Sequence, residues 1–271
     1  MIEVRDIAVK KGGRYILKDI NFDLPKGNIT VVIGENGAGK STLLEALTGS
    51  NKLSEGTIYY NQQALRAWTQ PALAAQRAVL SQKTIVNFPI TVSQLVEMGT
   101  YAAEQPLSQQ QIRSLVQVAT ADVGMLNFLK RDFRTLSGGE QKRILLAKCL
   151  VQLRCNAHIT STQYLFLDEP TASLDLQQQF KLLTLIRRVV QQQNISVFAV
   201  LHDINLAAQV SDKILLMKKG RLLHQGTPTD VLTRINIRET LGIEALIQTH
   251  PILSCPYILP LGNEELINQT I

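Results

Sequence analysis

The stretch that decides the fold is Gly34-Glu35-Asn36-Gly37-Ala38-Gly39-Lys40-Ser41-Thr42. It fits the pattern G-x-x-x-x-G-K-[ST], which is typical of a phosphate-binding loop. The run before it, residues 28–33, is almost wholly apolar and predicts a strand covered on both faces, while residues 40–48 have helical spacing. A strand before the loop and a helix after it indicate a nucleotide site rather than an ordinary glycine-rich turn.

The residue types in this loop explain how it would hold a nucleotide. Glycines allow the backbone to curl so that successive N–H groups point at phosphate oxygens, and the following helix directs its positive end to the same place. Lys40 would add a positive charge at the β- and γ-phosphates, and the Ser41 hydroxyl would bind Mg²⁺. We therefore predict that all nine residues, Gly34 to Thr42, contact the nucleotide.

A pair of carboxylates ends a second apolar strand, in Leu165-Phe166-Leu167-Asp168-Glu169-Pro170. A carboxylate at the end of a buried strand can hold Mg²⁺, usually through water. We predict Asp168 as a metal-binding residue and Glu169 as the base that orients and deprotonates the attacking water. In a chain with a phosphate loop, this pair is the expected second half of the nucleotide site.

Further strands and helices are predicted on both sides of these two motifs in the sequence. Residues 2–9 and 16–24 alternate apolar and polar positions, which predicts an antiparallel N-terminal β subdomain. Further buried strands are predicted at residues 78–81, 164–167 and 196–201, helices at 175–193 and 205–210, and an edge hairpin at 214–217 and 221–224. Alternating buried strands and helices predict an α/β fold with a doubly wound, mostly parallel sheet.

The segment from 86 to 160 has a different pattern. Its apolar residues follow helical spacing, with no strong strand, over residues 91–102, 108–130 and 138–153. We interpret it as a helical subdomain inserted in a single domain that spans residues 1–271. The nucleotide-binding core is then residues 1–85 and 161–230. The tail, residues 231–271, is predicted to be helical and then irregular around Pro251, Pro256 and Pro260.

Composition limits the class of protein. The 271 residues are 45 % hydrophobic and 18 % charged, which is typical of a globular chain, and the net charge is +6. The longest basic clusters are pairs, so no nucleic-acid-binding tail is predicted. No apolar run approaches the ~18 residues of a membrane span. The cysteines, Cys149, Cys155 and Cys255, lack metal-ligand spacing, which favours a reducing cytosol.

A third motif, Leu136-Ser137-Gly138-Gly139-Glu140-Gln141, distinguishes among the classes of phosphate-loop protein. Ser137 and Glu140 fit the S-x-x-E capping box of a helix N-terminus, and the two glycines allow close approach to the backbone. The plain interpretation is an ordinary helix cap. The alternative is a second anion site that completes a nucleotide site from outside.

This motif is similar to the signature of the ABC ATPase superfamily, and the other motifs stand in that superfamily's order over the whole chain. Gln82 resembles the Q-loop glutamine, Ser173-Leu174-Asp175 the D-loop, and His202 the switch histidine. The resemblance implies ATP and Mg²⁺ as ligands. It implies catalytic roles for Glu169, His202 and Gln82, and metal contacts from Ser41, Gln82 and Asp168.

One position departs from the superfamily pattern. Members usually carry an aromatic residue that stacks on adenine just before the Gly12-Gly13 turn, where this chain has Lys11. The nearby Tyr15 could replace this aromatic residue. Alternatively, Lys11 could lie over the base through its aliphatic stem. We take Tyr15 as the predicted adenine contact.

The resemblance also implies partners. One chain carries one phosphate loop and one signature, so a head-to-tail homodimer is expected, in which Ser137, Gly138, Gly139, Glu140 and Gln141 of one subunit cover the nucleotide of the other. In the absence of a membrane span, transport would require two separate transmembrane permease subunits.

The segment Asn87-Phe88-Pro89-Ile90-Thr91-Val92 and the long insertion at residues 154–163 resemble those of haemin importers. This implies haemin import, a periplasmic or surface haemin-binding protein, and a peripheral position at the cytoplasmic face of the inner membrane. Cys155 and His158 in the insertion are taken as ordinary residues rather than haem ligands.

Three alternatives stay open at this point. The cargo could be a ferric siderophore or cobalamin. The chain could be a non-transport ABC ATPase that acts on nucleic acid or ribosomes, although it has one compact cassette and no basic tract. It could also be an inactive scaffold, which the intact phosphate loop disfavours.

Overall fold

The computed structural model describes residues 1–82, 84–157, 162–172, 174–193 and 195–262. The chain forms two compact units, one made of residues 1–66 with the chain from 198 onward, and one made of residues 67–197. The division falls inside one strand.

The first unit contains the predicted N-terminal β subdomain. Its antiparallel sheet has the strand order β2-β1-β4-β5, and its strands are β1 (Ile2–Lys11), β2 (Arg14–Leu24), β4 (Glu55–Tyr60) and β5 (Gln63–Ala64). The buried positions of β1, which include Ile2 and Val4, alternate with more exposed ones, as expected for a sheet with one covered face. Strands β4 and β5 were not predicted from the sequence.

The same unit holds part of the nucleotide-binding core. Its strands, in the order β10-β9-β3-β8, are β10 (Arg221–Gly226), β9 (Lys213–Lys218), β3 (Ile29–Gly34) and the part of β8 (Ile195–Val200) from Phe198 onward. Strands β3 and β9 are parallel, and β10 is antiparallel at the edge, which confirms the predicted hairpin. Every residue of β3 and β8 is buried, as their continuous apolar runs predict. The helices α1 (Lys40–Leu47) and α7 (Ile204–Val210) follow these two strands.

The second unit is mainly helical. Strands β6 (Arg77–Leu80) and β7 (Gln163–Asp168) are parallel neighbours in it. Its helices are α2 (Gln70–Gln76), α3 (Val92–Glu97), α4 (Gln109–Asp122), α5 (Gly138–Arg154) and α6 (Leu176–Gln193). Helices α3 and α4 pack on α5, whose Ile144, Leu146 and Leu150 are fully buried. These elements confirm the mostly parallel α/β fold and a helix in each predicted stretch. The helix predicted over 108–130 is shorter than expected, because α4 ends at Asp122 and Gly124 then adopts a positive φ of 68°; α2 is an addition.

The C-terminal tail differs from the prediction. After α8 (Pro228–Val231) and α9 (Arg234–Leu241), the chain forms an antiparallel hairpin of β11 (Glu244–Thr249) and β12 (Pro256–Gly262). The irregular structure expected around Pro256 and Pro260 is therefore wrong for these two residues. Proline is tolerated here because both strands of a two-stranded sheet are edge strands, where a missing N–H need not break the pairing. The Asn205 side chain anchors β12, donating to Ile258 O at 3.0 Å and accepting from Ile258 N at 2.8 Å.

Candidate active site

The loop between β3 and α1 has the backbone that the glycine pattern predicts. Gly37 and Gly39 have φ of 80° and 99°, values that L side chains rarely adopt. Gly34 is required for a different reason, because a Cβ atom there would lie 2.2 Å from the Met217 carbonyl oxygen on β9. Any larger residue at Gly34 would separate the two parallel strands that support the loop.

Lys40 places its ammonium group inside the curve of this loop. The residue is 6 % exposed, and Nζ donates to the carbonyl oxygens of Gly34 at 2.7 Å and Glu35 at 2.9 Å. Gly39 caps α1, and the first intrahelical bond runs from Leu43 N to Gly39 O at 2.8 Å. A buried cation and a helix N-terminus thus meet at one loop, an arrangement that fits polyphosphate.

Tyr15 is exposed near the start of β2 in the same unit. The next two residues, Ile16 and Leu17, pack on the phosphate loop at Gly39. A Cβ atom on Gly39 would contact Leu17 and Ile16. The Tyr15 hydroxyl donates to Glu55 Oε1 at 2.7 Å, and the ring centroid is 4.3 Å from Lys10 Nζ. Lys18 Nζ is 5.2 Å from that centroid, and Lys11 pairs with Glu45 of α1 at 3.4 Å. The ring of Tyr15 is therefore held in place by cations, and its contact with adenine stays a prediction.

His202 is exposed and follows the end of β8. Leu201 N donates to Val32 O at 3.3 Å, so the histidine leaves the strand next to the one that carries the phosphate loop. The Asp203 carboxylate caps α7 through Asn205 N at 2.8 Å, which fixes the turn that carries His202.

The two acidic residues lie in the second unit, where β7 ends at Asp168. Glu169 has φ of +47°, which is uncommon for a residue with a side chain. Gln82 Nε2 donates to Glu169 Oε2 at 2.5 Å, so the structure joins the predicted Q-loop glutamine and the predicted base.

Lys142 is a residue of this cluster that the sequence analysis missed. Its Nζ donates to Gln82 O at 2.8 Å. Burial lowers the pKa of the Lys142 ammonium, and the nearby charges of Asp168 and Glu169 oppose that shift. The only sequence signal was its position directly after Gln141, which does not distinguish it from other helix lysines.

The signature turn forms the capping box that the sequence predicts. Ser137 Oγ accepts from Glu140 N at 3.4 Å, and Glu140 Oε2 accepts from Ser137 N at 2.8 Å. The backbone bond from Ser137 lowers the pKa of the Glu140 carboxyl. Gln141 Nε2 donates to Leu136 O at 3.2 Å and holds the turn against the preceding loop. A Cβ on Gly138 would meet nothing within 4 Å, so this side of the turn is open.

Asp175 caps the next helix in this unit. Its Oδ1 accepts from Gln178 N at 2.9 Å at the start of α6. The Gln178 side chain lies over the signature, because a Cβ on Gly139 would be 3.4 Å from it. The predicted D-loop and signature residues are therefore neighbours, while Ser173 lies outside the described residues.

The oxygen-rich chemistry of the predicted metal ligands fits Mg²⁺. Asp168 offers a carboxylate, Ser41 a hydroxyl and Gln82 an amide oxygen, the hard donors that this ion prefers. Among the described residues, no three His, Cys, Asp or Glu side chains gather as a metal cluster of their own.

The cysteines have no chemical role in this site. Burial raises the pKa of Cys149 to about 12 and that of Cys155 to about 11, whereas Cys255 is partly exposed. His158, weighed with Cys155 as a haem-ligand pair, lies outside the described residues.

These pKa shifts predict selective alkylation. Only the thiolate reacts, so at pH 8 about 10⁻³ of Cys155 would be reactive if it were fully accessible. We expect iodoacetamide to modify Cys255 first, and modification of Cys155 to rise only as the pH approaches 11. Peptide mass spectrometry over a pH series measures both rates. Equal rates for Cys155 and Cys255 at pH 8 would contradict the buried placement.

No helix in the described part of the chain is both long enough and apolar enough to cross a bilayer.

Known proteins with similar sequences identify the family of this chain. The ABC transporter family model matches residues 17–172. The hemin import ATP-binding protein HmuV of Gloeobacter violaceus is 38 % identical over 98 % of this chain and 96 % of its own length. The protein of the same name from Agrobacterium fabrum is 38 % identical over 96 % of this chain and 98 % of its own.

Solved structures agree with the sequence relatives. An ABC transporter assigned to the metal-chelate type, in an inward-facing conformation, matches with a TM-score of 0.80 and 26 % identity over 96 % of each chain. CbiO1 of Clostridium perfringens, part of the ABC transporter complex cbiONQ, has a TM-score of 0.76 and 26 % identity, and covers 88 % of this chain and 92 % of its own. The chain belongs to the ABC transporter family and is an ATPase of that family.

Proposed function

We propose that this chain is the ATP-hydrolysing subunit of an importer and that it drives haemin import across the cytoplasmic membrane. The observation that carries the proposal is the near full-length identity, 38 % over 98 % of the chain, to a protein named for hemin import. The cargo therefore rests on relatives, while the chemistry rests on the residues described above.

In the proposed reaction, the phosphate loop and Lys40 hold the β- and γ-phosphates of ATP. Glu169 accepts a proton from the water that attacks the γ-phosphorus, and the bond to the ADP oxygen breaks. Gln82, which donates to Glu169 at 2.5 Å, orients this carboxylate. His202 donates a hydrogen bond to the γ-phosphate. Ser41, Asp168 and Gln82 would hold Mg²⁺, which would supply positive charge that neutralises the phosphates.

The signature turn acts on the nucleotide of a second copy. Ser137 and the N–H groups that follow it form a helix N-terminus, which suits the γ-phosphate. The open side at Gly138, where a Cβ would meet nothing within 4 Å, leaves room for such an approach. Two ATP molecules are then enclosed by a head-to-tail dimer, and hydrolysis removes the phosphate that joins the subunits.

Two transmembrane permease subunits and a haemin-binding protein complete the proposed importer. The dimer then sits at the cytoplasmic face of the inner membrane as a peripheral subunit. The exposed Ile85 and Phe88, in the segment after Gln82, are the proposed contact with the permease, because apolar side chains on a surface favour a protein partner.

Gene deletion tests the cargo. A strain without this chain should lose growth on haemin as sole iron source and keep growth on a ferric siderophore and cobalamin uptake. Normal growth on haemin together with loss of siderophore or cobalamin uptake would assign the other cargo. Co-purification with a membrane permease, followed by haemin-stimulated ATP hydrolysis, tests the complex.

The adenine contact gives a separate prediction. Stacking of a base on an aromatic ring contributes about 1–3 kcal/mol, so Tyr15→Ala should raise the Kd for ATP by about 5- to 150-fold. Tyr15→Phe keeps the ring and loses the hydroxyl with its bonds to Glu55 and Lys10, so its Kd should stay within about threefold. Calorimetric titration with ATP measures both variants. Unchanged affinity in Tyr15→Ala, with a loss in Lys11→Ala, would move the contact to Lys11.

A further inference from the structure

A cavity of about 680 Å³ opens in the second unit, away from the acidic cluster and lined mainly by the end of α4, the start of α5 and α6. Its cations are Arg143, Lys181 and Arg188, and its one acidic lining residue, among those described, is Asp122. That carboxylate already forms an ion pair with Arg154, and the Asp122 carbonyl oxygen accepts from Arg188 Nη2 at 2.6 Å. The cavity therefore carries excess positive charge.

Arg143 uses only part of its hydrogen-bonding capacity. Its Nη1 donates to Gln178 Oε1, and its Nη2 points to Met125 Sδ at 3.6 Å, which is a weak acceptor. Its Nε is buried without a hydrogen-bond partner among the described atoms. A buried donor without an acceptor is unfavourable. A carboxylate, phosphate or sulfonate oxygen is the acceptor that a guanidinium group binds best.

Apolar side chains form much of the rest of the wall, beside the polar Gln177 and Thr184. Val123, Phe180 and Leu185 line it, and Phe180 is 41 % exposed although it is a large aromatic side chain. Sites for small molecules combine such apolar walls with a few polar groups that fix the orientation of the ligand. We propose that this cavity binds an amphipathic organic anion, with its acidic group at Arg143, Lys181 and Arg188 and its apolar body against Phe180.

Occupation of the cavity would act on the signature turn. Arg143 binds Gln178 Oε1, and the same oxygen would lie 3.4 Å from a Cβ built on Gly139. An anion that draws Arg143 into the cavity releases Gln178 at this turn and lowers ATP turnover. This coupling rests on the proposed role of the signature, whereas binding of the anion does not.

The test uses the full chain and two fluorescent probes with the same aromatic body. 1-Anilinonaphthalene-8-sulfonate carries an acidic group, and N-phenyl-1-naphthylamine lacks it. We expect the sulfonate to bind at one site and to bind about tenfold more weakly to the double variant Lys181→Gln/Arg188→Gln, in which two exposed charges are removed. Arg113→Gln, an exposed charge on α4 outside the cavity, is the matched control and should bind as the original chain does.

Thr184→Phe, which fills the cavity from an exposed position on α6, should abolish binding of the sulfonate. Equal affinity for the two probes, or an unchanged Kd in both cavity variants, would overturn the site. Saturating sulfonate should lower ATP turnover of the original chain and have a smaller effect on Thr184→Phe. Charge-dependent binding with unchanged turnover would overturn the coupling. A chain that hydrolyses no ATP at all would contradict the proposed function. The probe affinities would still test the anion site, because their measurement does not require ATP hydrolysis.

Discussion

Glu169→Gln is expected to lower ATP turnover by about 10³-fold, because a positioned general base contributes about 10²–10⁴-fold to such a reaction. Glutamine keeps the shape of the side chain and the contact with Gln82, but it cannot accept the proton of the attacking water. Binding of ATP should change by less than about threefold, since in the proposed site the loop at Gly34–Thr42 holds the phosphates. Phosphate release under steady-state conditions measures turnover, and calorimetry measures binding.

Glu104→Gln is the matched control, because Glu104 is an exposed carboxylate on the same unit and its side chain has no role in the site. Its turnover should equal that of the original chain. Turnover in Glu169→Gln within about fivefold of the original would remove this residue from the role of base. It would leave Asp168 as the next candidate.

The second large effect is expected at Lys40. Lys40→Met keeps the length of the side chain and removes the ammonium group that donates to Gly34 O and Glu35 O. Charge-assisted bonds to phosphate contribute about 1.5–3 kcal/mol each. In the proposed site Lys40 forms two such bonds, one to the β-phosphate and one to the γ-phosphate. The loss of both should lower kcat/KM for ATP by at least about 10²-fold. Most of this loss should be in affinity, because the charge acts on the bound phosphates before hydrolysis as well as during it.

Lys52→Ala, an exposed lysine of the same unit, provides the comparison for Lys40→Met. Circular dichroism should be the same for both variants and the original chain, because the loop backbone is fixed by Gly34, Gly37 and Gly39. If Lys40→Met binds ATP normally in titrations and also turns it over normally, the phosphate loop is not where ATP binds.

The phosphate loop was the part most accessible to sequence reasoning, because local backbone requirements determine it. Gly37 and Gly39 adopt positive φ, and the order of apolar strand, glycines and helix is contained in about twenty consecutive residues. The capping box at Ser137 and Glu140 is local for the same reason. Patterns of this kind are complete within one window of the sequence.

Contacts across long stretches of sequence could not be predicted in the same way. Lys142 meets Gln82 from 60 positions away, and Arg143 meets Gln178 from 35 positions away. Both depend on how α5 packs in its unit, which the helical pattern of α5 alone does not specify. The motif order suggested that Gln82 and Glu169 belong to one site, but it did not reveal the direct bond between them.

The C-terminal hairpin was missed because its own residues argue against a strand. Pro256 and Pro260 lie within β12, and prolines usually mark irregular structure. The pairing with β11 and the anchor at Asn205 are tertiary features that override this local preference. Strand β4 was missed for a related reason, since Gly56 interrupts its pattern and packs against the backbone of Asp6 in β1.

The central claim is that the signature of one copy covers the ATP bound by another. The most direct measurement is the mass of Glu169→Gln in solution by light scattering, with Mg²⁺ and either ATP or ADP. The proposal predicts about twice the chain mass of 30.1 kDa with ATP and the single-chain mass with ADP. It also predicts loss of the ATP-dependent dimer when Ser137→Arg is added, since a large side chain would block the signature turn. A single-chain mass with ATP bound at saturation would contradict the account.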